Sequence, residues 1–168
     1  WHPEFSREVD MTREKPAFER RPGDGLLPVV EGRMVQPHRI GAKSYVSGEG
    51  RRARWNNLPA GESRVSPQFW MHPSRMPAEA RMRACRTRAG FCDIVGQTNE
   101  RTMMAALIPQ GVVCGNKVPT VLFPNDPSAE RLLLWLGIVN SLPFDWLMRR
   151  VVTTTVNYFV LLSLRLPD

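Results

Sequence analysis

The pattern of hydrophobic and polar positions predicts its clearest helix near the C terminus. Residues 128–139 form an apolar run with Ser128 as a candidate N-cap and Glu130 in the first turn, which predicts a helix. Because this run is apolar nearly all round, we expect it to be buried on more than one side. The segment 143–150 begins at Pro143 and ends in a pair of arginines that suit a helix C terminus, so the pattern predicts a C-terminal helical pair.

Two other segments predict strands. Residues 81–90 place arginines at alternate positions, which is typical of a half-buried strand with a basic face, whereas a helix would spread them around its circumference. Residues 151–164 are dense in β-branched and aromatic side chains and predict a strand pair or one long strand. Together they indicate β-structure on both sides of the helical pair in sequence.

The stretch 98–116 admits three interpretations: an amphipathic helix, a buried strand, or a loop that binds an anion. Pro109 and Gly111 end its apolar run after six residues, which disfavours the helix. We therefore interpret residues 101–108 as a buried strand that is entered through a polar turn at 98–100. We expect this strand at the centre of the sheet that presents the basic face.

The N-terminal part of the chain has no sustained period. Residues 1–27 are rich in proline, glycine and charge, and we interpret them as an irregular leading segment. Residues 28–168 carry strands, then a helical pair, then a strand. This order predicts a single α+β domain with a mixed or antiparallel sheet.

Charge is distributed unevenly along the chain. Residues 1–90 contain 17 Lys/Arg against 10 Asp/Glu, whereas residues 91–168 contain 6 of each. Within residues 33–88 the tally is 12 against 3, and all but one of these cations are arginine. Arginine favours planar, bidentate contacts with phosphate or guanine, so the segment has the character of a polyanion binder. A genome whose codons favour arginine is the alternative explanation.

We select a group of cations as candidate contacts with the phosphates or bases of DNA. They are Arg33, Arg39, Lys43, Arg51, Arg52, Arg54, Arg81, Arg83, Arg86 and Arg88 in the basic segment, and Arg101 beyond it. His38 and Trp55 are secondary candidates. Asn99 is expected either to contact DNA or to form a turn, and Asn140 and Asp145 are expected to serve the fold as helix caps.

The sequence contains no recognisable catalytic, metal-binding or phosphate-binding motif. It has no GxSxG elbow, Cys–His pairing, HExxH motif or P-loop, and no cluster of carboxylates with a lysine, which disfavours hydrolases, metalloenzymes and nucleases. Its cysteines form no CxxC pair, and no apolar run reaches the roughly 18 residues of a membrane helix. We expect a cytoplasmic binding protein with no metal and no catalytic residue in this chain.

Six segments occur in a characteristic order: SREVDMT at 6–12, VVEGRMVQPHRI at 29–40, ARW at 53–55, RMRACRTRAG at 81–90, TNERTMMAALIPQGVVCGNKVPTVLFP at 98–124, and LLLWLGIVNSLPFDWLMRRVVTTTVNYFVLLSLRLPD at 132–168, which contains the NSLPFDW motif at 140–146. In this order they resemble the C-terminal, TaqI-like specificity region of adenine-specific DNA methyltransferases in restriction-modification and phage-defence systems. The resemblance spans most of the chain. It implies that this region reads a target in double-stranded DNA, while an upstream methyltransferase domain methylates adenine N6 from S-adenosylmethionine.

The chain departs from this family at several positions. Val30 stands where the family has an aromatic residue, and Arg33 where it has lysine. The catalytic Asn/Asp-Pro-Pro-Tyr/Phe tetrapeptide and the glycine-rich methyl-donor motif do not occur. The resemblance therefore implies no cofactor in this chain, S-adenosylmethionine for the parent enzyme, and a non-catalytic piece of a longer protein. The alternative is a free-standing basic module that binds nucleic acid or protein.

Overall fold

In residues 1–95, 99–164 and 166, which the computed structural model describes, eight short strands precede the first α-helix, and the other three α-helices follow the last strand. The strands are β1 (Glu4–Ser6), β2 (Phe18–Glu19), β3 (Leu27–Val30), β4 (Val35–Gln36), β5 (Arg39–Ile40), β6 (Lys43–Ser47), β7 (Arg54–Asn57), β8 (Trp70–Met71), β9 (Arg88–Phe91), β10 (Ala105–Ile108), β11 (Val113–Cys114) and β12 (Thr120–Leu122). The helices are α1 (Ala78–Ala84), α2 (Glu130–Val139), α3 (Leu142–Val151) and α4 (Tyr158–Ser163). The predicted single α+β domain with antiparallel and mixed sheets is confirmed.

A four-stranded antiparallel sheet carries the main core. Its spatial order is β1, β12, β9, β10, and β9 is buried along its whole length. Gly90 on β9 is required by close packing, since a Cβ there would lie 2.8 Å from Cγ1 of Ile108. Helices α2 and α3 contribute Trp135 and Met148 to the same buried cluster. The sheet and the helical pair therefore share one core.

A second sheet has the order β11, β3, β8, β2, with a parallel pair between β11 and β3 and antiparallel pairs elsewhere. Neighbouring residues of β3 point to opposite faces, so Val30 joins the main core while Val29 packs with Met71 and Val113 in a smaller one. Two ribbons, β4–β5 and β6–β7, lie between β3 and β8 in the chain. Strand β3 thus links the two cores.

The predicted helical pair is confirmed as α2 and α3, although two details of α2 are wrong. Ser128 does not cap it; the Asp126 carboxylate instead accepts a hydrogen bond from the Leu132 N–H at 3.1 Å. The helix is also buried along one face only, at Leu132, Trp135, Leu136 and Val139, and Leu133 and Leu134 are more than half exposed. None of the helices in the described part of the chain is long and apolar enough to cross a membrane.

The single strand predicted over 81–90 is wrong. Its first part belongs to α1, and β9 begins only at Arg88. The α1 sequence AEARMRA has high helix propensity throughout, and Ala80 and Ala84, four residues apart, bury one helical face. Arg83 shares that buried face, so the alternation of arginines does not separate a solvent face from a core face.

The strand pair or long strand predicted over 151–164 is also wrong. Thr155 makes one antiparallel bridge with Ile94, and α4 then begins at Tyr158. The Tyr158 ring stacks on Phe5 of β1, with 5.0 Å between ring centroids. Packing of an apolar helical face against the main core therefore overrides the local β propensity.

Two further expectations need correction. The strand expected in 101–108 is present as β10, but β10 lies at an edge of its hydrogen-bonded sheet and not at the centre. Thr98, in the expected turn before it, lies outside the described residues. The leading segment 1–27 is not irregular throughout, because β1 pairs with β12 and Glu8 is buried. The first residues are part of the main sheet.

Candidate nucleic-acid interface and adjoining cleft

The ribbon β6–β7 provides a well-braced support for cations. Its strands pair antiparallel, with a bulge between Tyr45 and Ser47. The Tyr45 ring meets Trp55 edge-on with 5.5 Å between centroids, and the Tyr45 hydroxyl donates to the Gly48 carbonyl oxygen at 2.6 Å. Gly48 has a φ of 86°, and a Cβ there would collide with the Arg52 carbonyl group, so this turn requires glycine.

The ribbon turn exposes Arg51, Arg52 and Arg54. Within the described chain, no carboxylate lies at ion-pair distance from these guanidinium groups. Glu49, in the same turn, is instead paired with Arg20 at 2.7 Å, and the hydrogen bond from Arg20 holds the pKa of Glu49 below its ordinary value. The tip of the ribbon therefore presents positive charge that its own acidic neighbour does not neutralise.

Three further candidate cations lie at the base of the ribbon. The Arg33 guanidinium lies over the Trp55 ring, 5.1 Å from its centroid. Arg39 is half-buried and donates through Nη2 to the Leu58 carbonyl oxygen at 3.1 Å. Lys43 begins β6 and lines an adjoining cleft. Arg33 and Lys43 therefore connect the ribbon with that cleft.

The candidate arginines of 81–90 divide into an exposed and a buried pair. Arg81 and Arg86 are exposed, and no carboxylate among the described residues pairs with them. Arg83 and Arg88 are only 5% and 0% exposed. A guanidinium that is buried and already paired cannot reach a phosphate, so we do not retain Arg83 and Arg88 as candidate DNA contacts.

Arg88 forms a buried ion pair with Glu8. Its Nη2 lies 2.7 Å from Oε2 of Glu8 and 3.0 Å from the Val112 carbonyl oxygen. The Cys114 N–H donates to the same Glu8 oxygen at 2.8 Å. Two charges can be buried together only when such hydrogen bonds compensate their lost hydration. The cluster therefore joins the N-terminal segment to β9 and β11, which is a role in the fold.

The NSLPFDW motif holds the TNERT motif in place. The Asp145 carboxylate accepts hydrogen bonds from the N–H groups of Thr102 at 2.7 Å and Met103 at 2.8 Å, and from Nε of Arg149 at 3.0 Å. Burial alone would raise the pKa of Asp145, but these donors together hold it below its ordinary value. Asp145 therefore fixes the residues that lead into β10.

Asn140 occupies the free edge of β10. Its side-chain Oδ1 accepts from the Ala105 N–H at 3.0 Å, and its Nδ2 donates to the Ala105 carbonyl oxygen at 2.9 Å. The backbone N–H of His38, an exposed residue, donates to the same oxygen at 2.8 Å. Arg101 donates to the carbonyl oxygens of Asn140 and Ser141. Asn140 and Asp145 thus serve the fold by bonding β10 and its approach, not by capping helices with their side chains.

A cleft of about 670 Å³ opens at the base of the ribbon. The cations along it are Arg33, Lys43, Arg101 and Lys117. Among the described residues, the carboxylates of the lining are those of Glu31 and Glu100, and side chains such as Met104 add apolar surface. The described lining therefore carries more positive than negative charge.

Glu31 is set into the wall of this cleft, with only 17% of its side chain exposed. Its Oε1 is buried without a hydrogen-bond partner among the described residues, and its Oε2 lies 3.9 Å from Nε of Arg33. Burial raises the pKa of Glu31. A Cβ on the adjacent Gly32 would lie 3.0 Å from the Lys117 carbonyl oxygen and 3.1 Å from Sγ of Cys92. This close packing fixes the backbone that carries Glu31.

With Arg83 and Arg88 set aside, the nine remaining predicted cations separate into three groups. The cleft brings together Arg33, Lys43 and Arg101; the ribbon and its base hold Arg51, Arg52, Arg54 and Arg39; and Arg81 and Arg86 belong to the α1 region. Sequence reasoning missed Glu31 and Lys117 as site residues. The available signal was Glu31 beside Gly32, which by itself indicates only a turn.

Comparison with known proteins assigns no family to the chain. No protein-family model matches it. No curated protein sequence matches it either. Functional inference therefore rests on the described geometry and on the order of the sequence motifs.

Proposed function

We propose that the chain is the DNA target-recognition portion of an adenine-N6 DNA methyltransferase from a restriction-modification or phage-defence system. The observation that carries the proposal is the β6–β7 ribbon, whose Arg51, Arg52 and Arg54 are exposed and unpaired with any described carboxylate. The motif order that resembles the specificity region of these enzymes supports the same role. Methyl transfer from S-adenosylmethionine would belong to a methyltransferase domain outside this chain.

A two-stranded ribbon has the dimensions to enter the major groove of B-DNA. Arginines at its tip and along its sides can neutralise phosphates, and those that reach a base edge can also bind guanine bidentately. Arg54 and Trp55 are adjacent on β7, and Arg33 covers the Trp55 ring, so the cationic surface continues from the ribbon to its base. The remaining candidates, Arg39, Lys43, Arg81 and Arg86, would add phosphate contacts that position the duplex.

The ribbon arginines can be tested by the salt dependence of duplex binding. Fluorescence anisotropy with a labelled duplex between about 50 and 200 mM salt should give an affinity that falls steeply with salt, because bound cations release counterions from DNA. In the variant Arg51→Gln/Arg52→Gln, the logarithmic slope should become shallower by about 0.9 for each phosphate that is no longer neutralised. Affinity at low salt should fall in parallel.

A matched control removes the same charge from the helical side of the molecule. Arg131 on α2 and Arg150 on α3 are both exposed, and Arg131→Gln/Arg150→Gln lowers the net charge equally. This control should keep the wild-type slope. If both double variants weaken binding by the same factor, binding follows net charge alone and the ribbon is not the recognition element. If wild type does not bind duplex at about 50 mM salt, the proposal fails.

A protein-binding module is the second candidate function, and exposed apolar side chains favour it. Leu142 and Trp146 of α3 are 71% and 57% exposed, and Phe159 and Leu162 of α4 are 71% and 61% exposed. Surfaces of this kind are typical of protein contacts. They suit a methyltransferase domain under the first proposal and another protein under the second. Absence of duplex binding together with stable association to a protein partner would favour the second.

A further inference from the structure

The cleft beside the ribbon contains a hydrogen-bond acceptor without a donor. Oε1 of Glu31 is buried and has no partner in the described chain. Burial of an unsatisfied carboxylate oxygen is costly, and such groups concentrate at binding sites where a ligand supplies the partner. The duplex-binding ribbon does not use this carboxylate. A ligand that satisfies Glu31 must offer a donor and must fit a cleft of about 670 Å³.

Cations line the same cleft and favour an anionic ligand. The Arg101 guanidinium is already bonded to the carbonyl oxygens of Asn140 and Ser141. Lys43 and Lys117 carry ammonium groups on flexible side chains, and Lys117 is half exposed with Asp93 3.9 Å from its Nζ. Lysine binds phosphate as a point charge without demanding a fixed geometry. The cleft thus combines a buried acceptor with phosphate-binding cations.

We propose that the cleft binds one guanine nucleotide, with the Glu31 carboxylate accepting two hydrogen bonds from the base and with Lys43 and Lys117 binding its phosphate. The nucleotide can be a guanosine swung out of the duplex or a free guanine nucleotide. In the first form the inference rests on the proposed DNA-recognition function. In both forms the recognition chemistry is the same.

The choice of guanine follows from the two oxygens of Glu31. Oε1 has no described partner. Oε2 accepts the Met34 N–H in the capping box of this turn and lies 3.9 Å from Nε of Arg33, and a carboxylate oxygen can accept a second hydrogen bond, so both oxygens can accept from a ligand. Guanine presents two adjacent donors, N1–H and the N2 amino group, on its Watson–Crick edge, where a flipped base is read. Adenine and cytosine place an acceptor beside their amino group, which would face a carboxylate oxygen. Thymine offers one donor between two acceptors.

Calorimetric titration of the full chain with free nucleotides tests the base chemistry. GMP should bind, and inosine monophosphate, which lacks the N2 amino group, should bind about tenfold more weakly. AMP should bind more weakly still. The variant Glu31→Gln should lose about tenfold in GMP affinity and should no longer prefer GMP over inosine monophosphate. The control Glu62→Gln, an exposed carboxylate outside the cleft, should leave both affinities unchanged.

A second variant tests the phosphate contact. Lys117→Gln should weaken GMP binding without weakening guanosine binding, since only GMP carries the phosphate. Circular dichroism should first establish that each variant is folded. If Glu31→Gln does not fold, the order GMP, inosine monophosphate, AMP on wild type still decides the base assignment. Equal affinity for these three nucleotides would overturn the inference.

Duplexes with one unpaired nucleotide distinguish the two sources. If the ligand comes from DNA, a duplex with a bulged guanosine should bind more tightly than one with a bulged adenosine, and Glu31→Gln should abolish the difference. If GMP binds and the bulged duplexes do not differ, the ligand is a free nucleotide. If neither GMP nor the bulged guanosine is preferred while ribbon-dependent duplex binding persists, the cleft inference alone fails. If GMP binds and duplex does not, the proposed function alone fails.

Discussion

The folded protein buries most of the Glu31 side chain, although burial disfavours the charged form of its carboxyl group. Because burial raises the pKa of Glu31, the unfolded chain binds fewer protons than the folded chain between the ordinary and the raised pKa. Stability should therefore fall as pH rises through this window. A residue that lowers stability at neutral pH and lies in a cleft is typical of a position kept for binding.

We predict that Glu31→Gln raises the free energy of unfolding at neutral pH. The glutamine has the same shape and does not titrate, so its advantage over wild type should be small in acid and should grow as pH rises through the raised pKa of Glu31. Chemical denaturation across a pH series measures this. Glu79→Gln should instead lower the free energy of unfolding at neutral pH, because hydrogen bonds from Ser6 and Arg83 lower the pKa of Glu79. If Glu31→Gln instead has a lower free energy of unfolding than wild type at neutral pH, Glu31 stabilises the fold and the prediction is wrong.

At the scale of elements, the contact between β10 and α3 depends on one carboxylate. Asp145 lies in the first turn of α3 and accepts two N–H groups from the residues that lead into β10, as well as Nε of Arg149. These bonds cross between two motifs that are about 40 residues apart in sequence. These hydrogen bonds therefore fix the position of the helical pair on the edge of the main sheet.

We predict that Asp145→Asn lowers the free energy of unfolding at neutral pH by about 2 kcal/mol, because a charged acceptor of buried N–H groups is removed. The pKa of Asp145 is lowered in the folded state, so this contribution is fully present above the ordinary pKa of aspartate and is lost as pH falls through the lowered one. Denaturation of wild type and variant should therefore converge in acid.

A control for this change is Asp126→Asn. Asp126 accepts the Leu132 N–H near the start of α2, which is a more ordinary helix contact. Its effect on stability should be smaller than that of Asp145→Asn. If the two variants are destabilised equally, the contact of Asp145 with the approach to β10 has no special weight in the fold.

Elements whose ends carry local signals could be predicted from the sequence. Helix α3 begins near Pro143 and ends after two arginines, and it forms where those signals lie. By contrast, the strands predicted over 81–90 and 151–164 fall partly on α1 and α4. In α1 the buried Arg83 breaks the expected relation between charge and exposure, and α4 forms because Tyr158 packs on Phe5 of β1, far away in sequence. Long-range contacts of this kind leave no periodic signal in the segment itself.

The candidate site was also predictable only in part: its cations could be selected from the sequence, but its buried carboxylate could not. The cations of the ribbon could be selected because basic residues outnumber acidic ones 12 to 3 within residues 33–88, and nearly all of the basic residues are arginine. Glu31 could not be selected, because its burial arises when Gly32 packs against residue 117 and Cys92. A lone carboxylate in a turn gives no sign of the cleft that its surroundings create.

At the scale of the whole molecule, the N-terminal residues and the later strands form one unit. β1 is a strand of the main sheet, Val9 bridges Gly115, and Glu8 pairs with Arg88 where both side chains are fully buried. The cleft is built on this unit, since its lining residues Glu31 and Cys92 directly follow β3 and β9. Stability of the candidate site therefore depends on a charge pair that lies outside it.

We predict that Glu8→Leu lowers the free energy of unfolding by about 3–5 kcal/mol, because it leaves the buried Arg88 guanidinium without its carboxylate. Adding Arg88→Met should restore much of this stability, since two apolar side chains of similar size can replace a buried ion pair. Denaturant titration of wild type, both single variants and the double variant gives the coupling energy. Additive effects would mean that the pair is not coupled, and that the N-terminal segment is held by β1 and Val9 alone.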